Sequence, residues 1–276
     1  MRSGRLKTRR YKVRRGISAS VLLVLLLTAM GGAAGGYWLQ NRGLSLPVPL
    51  SLSPSPTLTP DESAAESRQV TLPGRAWYAL QLGAFERENA AREGAASFRS
   101  RGAAGYLYRQ DTVRILGAAY ETRSDAQAVQ TQLRTQHGIE AWVTEIARPE
   151  ISLRLTGQKA QLTALSDAYD LIDQAAEQFS ALSQSLDQQK ATRQEVLTAL
   201  QSQRDTVDAL YTRLETLFGS SPHAAVGSMK TLLNDLSQEI SAAFSTQGAT
   251  SLGAQVKYCQ LLCVCRMAEY AAGLAQ

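Results

Sequence analysis

The residue types that usually carry catalysis are sparse in this chain and poorly placed for it. There are two histidines, His137 and His223, and three cysteines, Cys259, Cys263 and Cys265. A metal centre needs imidazole, thiolate or carboxylate donors brought to one point. Cys259 and Cys263 are four residues apart and share one helical face, with Cys265 turned away, and neither histidine is near them in sequence. Buried free thiols explain this spacing better than a metal site does. An odd count leaves at least one thiol free or paired between chains. His137 falls at a helix end and His223 after a turn proline, both positions that face solvent. No Gly-x-Ser-x-Gly or His-Glu-x-x-His occurs. No lysine directly follows a glycine or lies three residues after a serine, which removes the phosphate-loop and Ser-x-x-Lys patterns. No catalytic residue, metal or cofactor is assigned, and the chain is not expected to be an enzyme.

A different chemistry is available between Trp77 and Ile146. Residues Trp77 to Gly83 alternate, with Tyr78, Leu80 and Leu82 on one face and Trp77, Ala79 and Gln81 on the other. Carried through the neighbouring strand-like runs, the alternation gives a sheet with two different sides. Leu80, Leu82, Leu107, Val113, Ile115, Ala141 and Val143 form the buried side. Trp77, Gln81, Tyr106, Tyr108, Arg114, Leu116, Trp142 and Thr144 form the other. Four of these eight are aromatic, more than a merely solvated face needs. That face is either a binding surface or a packing surface covered by the C-terminal helices. A register slip of one residue would exchange the two sets.

The elements that position these residues form an internal repeat. Trp77–Phe85 and Val113–Tyr120 are apolar runs that each contain Gly-Ala and end in an aromatic. An alanine-rich helical segment follows each, over about 87–101 and from Ser124 to Gly138, and then a short strand, over 105–109 and 140–146. The unit is β-α-β twice, with a period of about 35 residues. Ser124 and Gln127 have capping-box spacing, Gly102 and Gly138 suit helix ends, and Gln110-Asp111 suits a tight turn.

What precedes the repeat has the composition of a delivery apparatus. Residues 1–16 carry eight of the 29 basic side chains and no acid, so the remaining 21 basic residues face 24 acidic ones. The pI of 9.2 reports this tail. A nucleic-acid surface, which should be basic within the folded unit, is not expected. Residues 17–39 contain no charge, and as a helix of about 1.5 Å rise they reach roughly 35 Å, enough to cross a bilayer. They are read as a single transmembrane helix with the basic tail in the cytoplasm and the rest outside. The alternative is a signal peptide cleaved near Met30–Gly36. Residues 40–74 hold six of the eight prolines and read as a linker, spanning roughly 33 Å as a coil and on the order of 100 Å extended.

From Gln158 onward the pattern is helical. Leu162, Leu165, Tyr169, Ile172, Ala176, Phe179, Ser183 and Leu186 follow 3-4 spacing, as do Val196, Leu200, Gln203, Val207, Leu210, Leu214 and Leu217. Two further helices, over about 225–244 and 251–274, complete a bundle or a pair of helical hairpins covering 155–276. The bundle is a candidate surface for a protein partner.

With both halves of the repeat laid out, residues 75–147 resemble the SPOR domain, a peptidoglycan-binding module of bacterial cell-division and sporulation proteins. The resemblance rests on Tyr78-Ala-Leu-Gln-Leu-Gly-Ala-Phe85, the residues Glu-Asn-Ala-Ala at 88–91, Arg114-Ile-Leu-Gly-Ala-Ala-Tyr120 and Ser124-Asp-Ala-Gln-Ala-Val129. It implies an α+β fold: a four-stranded antiparallel sheet in the order β-α-β-β-α-β with helices on one face. It implies that the other face binds glycan strands that have lost their stem peptides, through Trp77, Gln81, Tyr106, Tyr108, Arg114, Trp142 and Thr144. Rings cover the C–H face of a sugar, while Gln81, Arg114 and Thr144 bond its hydroxyl rim. The family's usual glutamine falls on Gln81. Ala84 stands where a serine often follows the strand's glycine, so one hydroxyl contact is missing. A basic tail, one membrane helix and a tether before the domain are a frequent family layout, and the helical region resembles SPOR proteins of Gram-positive bacteria. Three other readings compete. The first is an envelope scaffold whose SPOR-like part is structural. The second is an RNA-recognition fold of the same strand order, which lacks its Arg/Lys-Gly-aromatic motif here. The third is a wall hydrolase, which lacks residues to carry it.

Overall fold

The computed structural model describes residues 65–220 and 223–274. The expected basic tail and transmembrane segment, 1–16 and 17–39, lie outside these residues, as does the linker as far as residue 64. Among the described residues, no helix is long and apolar enough to cross a membrane.

The repeat folds as its periodicity predicts. Strand β2 (Arg75–Phe85) leads into helix α1 (Glu88–Arg99), β3 (Tyr106–Arg109) and β4 (Val113–Tyr120). Helix α2 (Arg123–His137) and β5 (Trp142–Arg148) complete the second half. The four strands form one antiparallel sheet in the order β3-β4-β2-β5. Helix α2 begins at Thr122, whose hydroxyl accepts from the Asp125 amide at 3.1 Å, so the cap sits two residues before the Ser124 box expected from spacing. Gly138 closes α2 with φ at 61°, a left-handed conformation that suits glycine.

One pair of strands lies outside the repeat. Strand β1 (Ala65–Leu72) pairs antiparallel with β6 (Ile151–Gln158), from Ala65 opposite Gln158 to Leu72 opposite Ile151. Residues 65–72, expected as the last part of the linker, are therefore a strand. They contain no proline and alternate toward Val70 and Leu72, both buried.

Four helices follow: α3 (Lys159–Asp187), α4 (Arg193–Phe218), α5 (Ala224–Phe244) and α6 (Gly248–Leu274). Each packs on the next, and α6 returns to α3, which closes a bundle. The seams are those the 3-4 spacing marks. Ile172, Phe179, Leu200, Leu214, Leu233 and Ile240 are all shielded from solvent.

Two apolar layers result, one on each side of the sheet. Leu80, Leu133 and Ala141 form a small core with Leu82, Val129 and Val143 beneath α2. On the other side Trp77, Ala79, Tyr106, Leu116 and Ile146 join the bundle in a single large core. The expectation of helices on one face only is thus corrected: α1 and α2 cover one face and α6 covers much of the other. The cause lies in α6 itself. Seventeen of its 27 residues are buried, and they point all round its axis. A helix apolar on every side needs cover on every side. Helices α3 and α5 supply part of that cover and the aromatic sheet face supplies the rest.

This packing sets an expected difference between neighbouring leucines. Leu80 is buried and Leu82 only half-buried beside a cleft of about 60 Å³ between the surface helices. Leu80→Ala should cost about 2–5 kcal/mol of unfolding free energy in urea melts, and Leu82→Ala less, because Leu82 is already partly exposed and loses less buried surface. Equal costs would show that Leu82 is a full core residue.

Candidate saccharide-binding face of the sheet

The register of the four strands lays the expected site residues out in rows. Tyr106 faces Leu116, Leu116 faces Gln81, and Gln81 faces Trp142, so these four side chains cross the sheet from β3 to β5 in one line. Exposure rises along that line. Tyr106 and Leu116 are buried, Gln81 is half-buried, and Trp142 is 47% exposed. Trp142 is the exposed large apolar side chain among the described residues. One row away, Ala119 and Ala79 are buried and Thr144 is half-buried. At the far end Trp77 and Ile146 pair under the bundle, both buried. Tyr108 and Arg114 pair at the opposite end and are half-buried.

Of the seven expected site residues, the structure therefore leaves five at least partly open: Gln81, Tyr108, Arg114, Trp142 and Thr144. Trp77 and Tyr106 are on the expected face, but that face is covered where they lie. Trp77 stacks beneath the Arg75 guanidinium at 5.0 Å, and Arg75 is held by Glu177 of α3 at 2.5 Å. Tyr106 meets the ring of Tyr258 from α6, with centroids 5.2 Å apart. Burial drives the Tyr106 phenol far above its ordinary pKa, so it stays neutral. Tyr108 is pushed up more moderately by the same cause, and its oxygen accepts from Gln110 Nε2 at 3.1 Å.

The open part of the face is polar at its centre. Thr144 Oγ1 donates to Gln81 Oε1 at 3.1 Å, which joins β2 to β5 and fixes which end of the Gln81 amide faces Thr144. The Gln81 amide nitrogen keeps its two donors for other acceptors. Beside this pair Trp142 presents an indole whose body is apolar and whose N–H is polar. One ring, one amide and one hydroxyl at adjacent rungs can cover the C–H face of a sugar and bond its rim. The arrangement holds no nucleophile and no acid–base pair.

Helix α6 is fastened to the covered part by polar side chains. Lys257 Nζ donates to the Gly102 carbonyl at 3.1 Å and pairs with Asp187 of α3 at 2.8 Å. Gln260 Nε2 donates to the Ala119 carbonyl at 3.0 Å. The Arg99 guanidinium lies 4.5 Å from the Tyr258 ring. Burial raises the Asp187 carboxyl pKa, and the Lys257 ammonium opposes the shift. Helical spacing alone marks Leu252, Val256, Cys259, Cys263 and Tyr270 as the inward stripe of α6. The run Leu-Leu-Cys-Val-Cys at 261–265, which leaves no polar side, was the available sign of a second covered face.

All three thiols are free and buried, and burial raises the pKa of each. Cys265, on the other side of the helix from Cys259 and Cys263 as expected, is buried as well. His137 is also less exposed than its position at a helix end suggests. It is half-buried, its Nε2 has no hydrogen-bond partner, and desolvation lowers its pKa.

No curated protein and no solved structure matches the chain. A family model does match, that of the SPOR domain, over residues 63–145. This match begins two residues before β1 and twelve before β2, so it takes in the strand that precedes the repeat. SPOR domains bind peptidoglycan and are generally associated with cell division; they are binding modules, without a catalytic role. With the strand order, the repeated motif and the family match in agreement, the chain carries a SPOR domain.

Proposed function

We propose that the chain is a membrane-anchored envelope protein that binds peptidoglycan glycan strands through its SPOR domain, in cell division or sporulation. The observation that carries this reading is the open end of the sheet face. There Trp142 stands exposed beside the hydrogen-bonded Gln81–Thr144 pair, within the matched domain. Tyr108 and Arg114 extend the surface toward the β3 edge, although both are half-buried.

The full chain, solubilised in mild detergent, should co-sediment with purified sacculi. Prior amidase treatment, which strips stem peptides, should increase the amount retained. Trp142→Ala should weaken retention by roughly ten-fold or more and shift stability by no more than about 0.5 kcal/mol, because the ring is exposed. Gln81→Ala should weaken it less. Equal, background retention on treated and untreated walls would end the glycan reading.

Residues 1–16 and 17–39 support the anchoring part of the proposal by charge and apolar length alone. The full chain should stay with the membrane fraction through carbonate extraction, and deletion of 17–39 should release it. Release of the unaltered chain would point instead to a cleaved leader.

The covered face favours a second reading, an envelope scaffold in which the SPOR domain is structural and the bundle meets a protein partner. Trp77, Tyr106 and Leu116 are enclosed by the bundle rather than presented. Walls that fail to retain the chain in every condition, with its fold intact, would favour it.

A further inference from the structure

We propose that the free edge of strand β1 is the docking site of a segment of this same chain, residues 44–52, which adds to the β1–β6 ribbon as a third, outer strand. The inference stands apart from the peptidoglycan reading and does not depend on it.

The segment reads Leu-Ser-Leu-Pro-Val-Pro-Leu-Ser-Leu. Every even position is aliphatic: Leu44, Leu46, Val48, Leu50 and Leu52. Both of its prolines, Pro47 and Pro49, fall at odd positions. In an extended chain, side chains and backbone groups alternate with the same period of two. The even residues therefore share one face and also turn their N–H and C=O groups toward one edge. That edge keeps all five of its donors, while the opposite edge lacks two, because proline has no N–H. Such a strand can join a sheet through one edge and closes the sheet with the other, which is where strands carry proline. The next prolines, Pro54 and Pro56, fall at even positions, so pairing through this edge ends by Ser53. The residue before a proline is also biased toward extended backbone, which favours strand geometry at Leu46 and Val48 ahead of docking. A plain tether has no need of this parity.

The ribbon has the matching vacancy. It contains two strands, and among the described residues no strand pairs with β1 on the side away from β6. Six of the eight residues of β1 are exposed, against three of eight in β6, so β1 is the open side. Residues 53–64 join the segment to Ala65, enough chain to turn back and lie antiparallel to β1. The aliphatic side chains would continue the face of Val70 and Leu72, which the half-buried Leu153 and Leu155 of β6 share. Two strands alone are marginal in water, and a third strand reinforces them. Docking shortens the chain between the apolar stretch 17–39 and the folded part from residues 40–64 to residues 40–43. At full extension that is a change from about 80 Å to about 13 Å. A chain anchored through 17–39 would then carry its sheet close to the bilayer.

The full chain in mild detergent is transferred to deuterated buffer, and uptake is read residue by residue after electron-transfer fragmentation. Corrected for intrinsic rates, the amides of Leu46, Val48 and Leu50 should exchange roughly ten-fold or more slowly than those of Ser45 and Ser51. Val48→Pro removes a donor from the pairing edge and should return Leu46 and Leu50 to open-chain rates. Ser51→Pro, on the outer edge, should leave both slow. Near-ultraviolet circular dichroism checks that each variant keeps its fold; should one fail to fold, the parity in the unaltered chain decides alone. Even and odd amides that exchange alike, fast or slow throughout, overturn the inference, and so do two variants of equal effect. Slow even amides found only in a species of twice the monomer mass by light scattering also overturn it, since the strand then sits on a second copy. None of these outcomes reads wall binding, so failure here leaves the peptidoglycan reading to its own test.

Discussion

Phe179→Asp should abolish cooperative melting of the whole unit from Ala65 to Leu274, the sheet included. Phe179 is fully shielded in α3, and it belongs to the same continuous core as Trp77 and Leu116 of the sheet. A carboxylate there would sit among the apolar side chains of that core, and burying such a group costs several kcal/mol at least. A typical domain has only about 5–15 kcal/mol in total. Leu210→Asp, at a buried seam position of α4, should act in the same way. Trp77 and Trp142 both report on the sheet, so near-ultraviolet circular dichroism follows it separately from the helical far-ultraviolet signal. Both signals should be lost together. Survival of the tryptophan band after the helical signal is gone would mean that the sheet folds alone, as a boundary near residue 150 implies.

Arg148→Met should cost about 3 kcal/mol, the largest effect expected from a single polar side chain here. The guanidinium is 5% exposed and bonds both Asp173 oxygens at 2.7 Å while its other donors reach the Pro73 carbonyl. It thus ties the β1–β2 turn and the end of β5 to α3. Removing it strands the carboxylate of Asp173, which is about a quarter exposed and so retains some hydration. Arg148→Met combined with Asp173→Asn should recover part of the loss, since no charge is then left without a partner. A double variant as unstable as the single one would assign the cost to the Pro73 carbonyl instead.

The legible part of this fold was the part encoded by period. The alternation over 77–83 placed Leu80 and Ile115 beneath α1 and α2, and Gln81, Trp142 and Thr144 on the opposite face, in the observed register. The 3-4 spacing located the seams of all four helices. What periodicity does not encode is which surface covers which. A face of four aromatics reads the same whether it awaits a ligand or a helix. The answer lay in α6, where apolar residues fill the complement of the predicted stripe. The strand at Ala65–Leu72 was missed for a related reason. Its partner is some 80 residues away, and its sequence, Ala-Glu-Ser-Arg-Gln-Val-Thr-Leu, continues the Ser/Thr character of the linker before it. Arg148, Asp173, Lys257 and Asp187 were invisible because an ion pair between distant elements leaves no local pattern.

The β1–β6 ribbon also fixes how the molecule responds to load. Ala65, where the chain enters, lies opposite Gln158, where it passes into α3. Tension between Ala65 and a held bundle therefore acts at one end of the ribbon and strains its rungs singly, like a zipper. Tension between Ala65 and a held sheet runs along β1 into β2 and spares the rungs. Stretching in an optical trap with handles at Ala65 and in α3 should give an early, low-force extension of about eight rungs' worth of chain before the bundle yields. With the second handle on β5 that step should be absent. The same entry strand would thus be compliant toward whatever holds the bundle and stiff toward whatever holds the sheet.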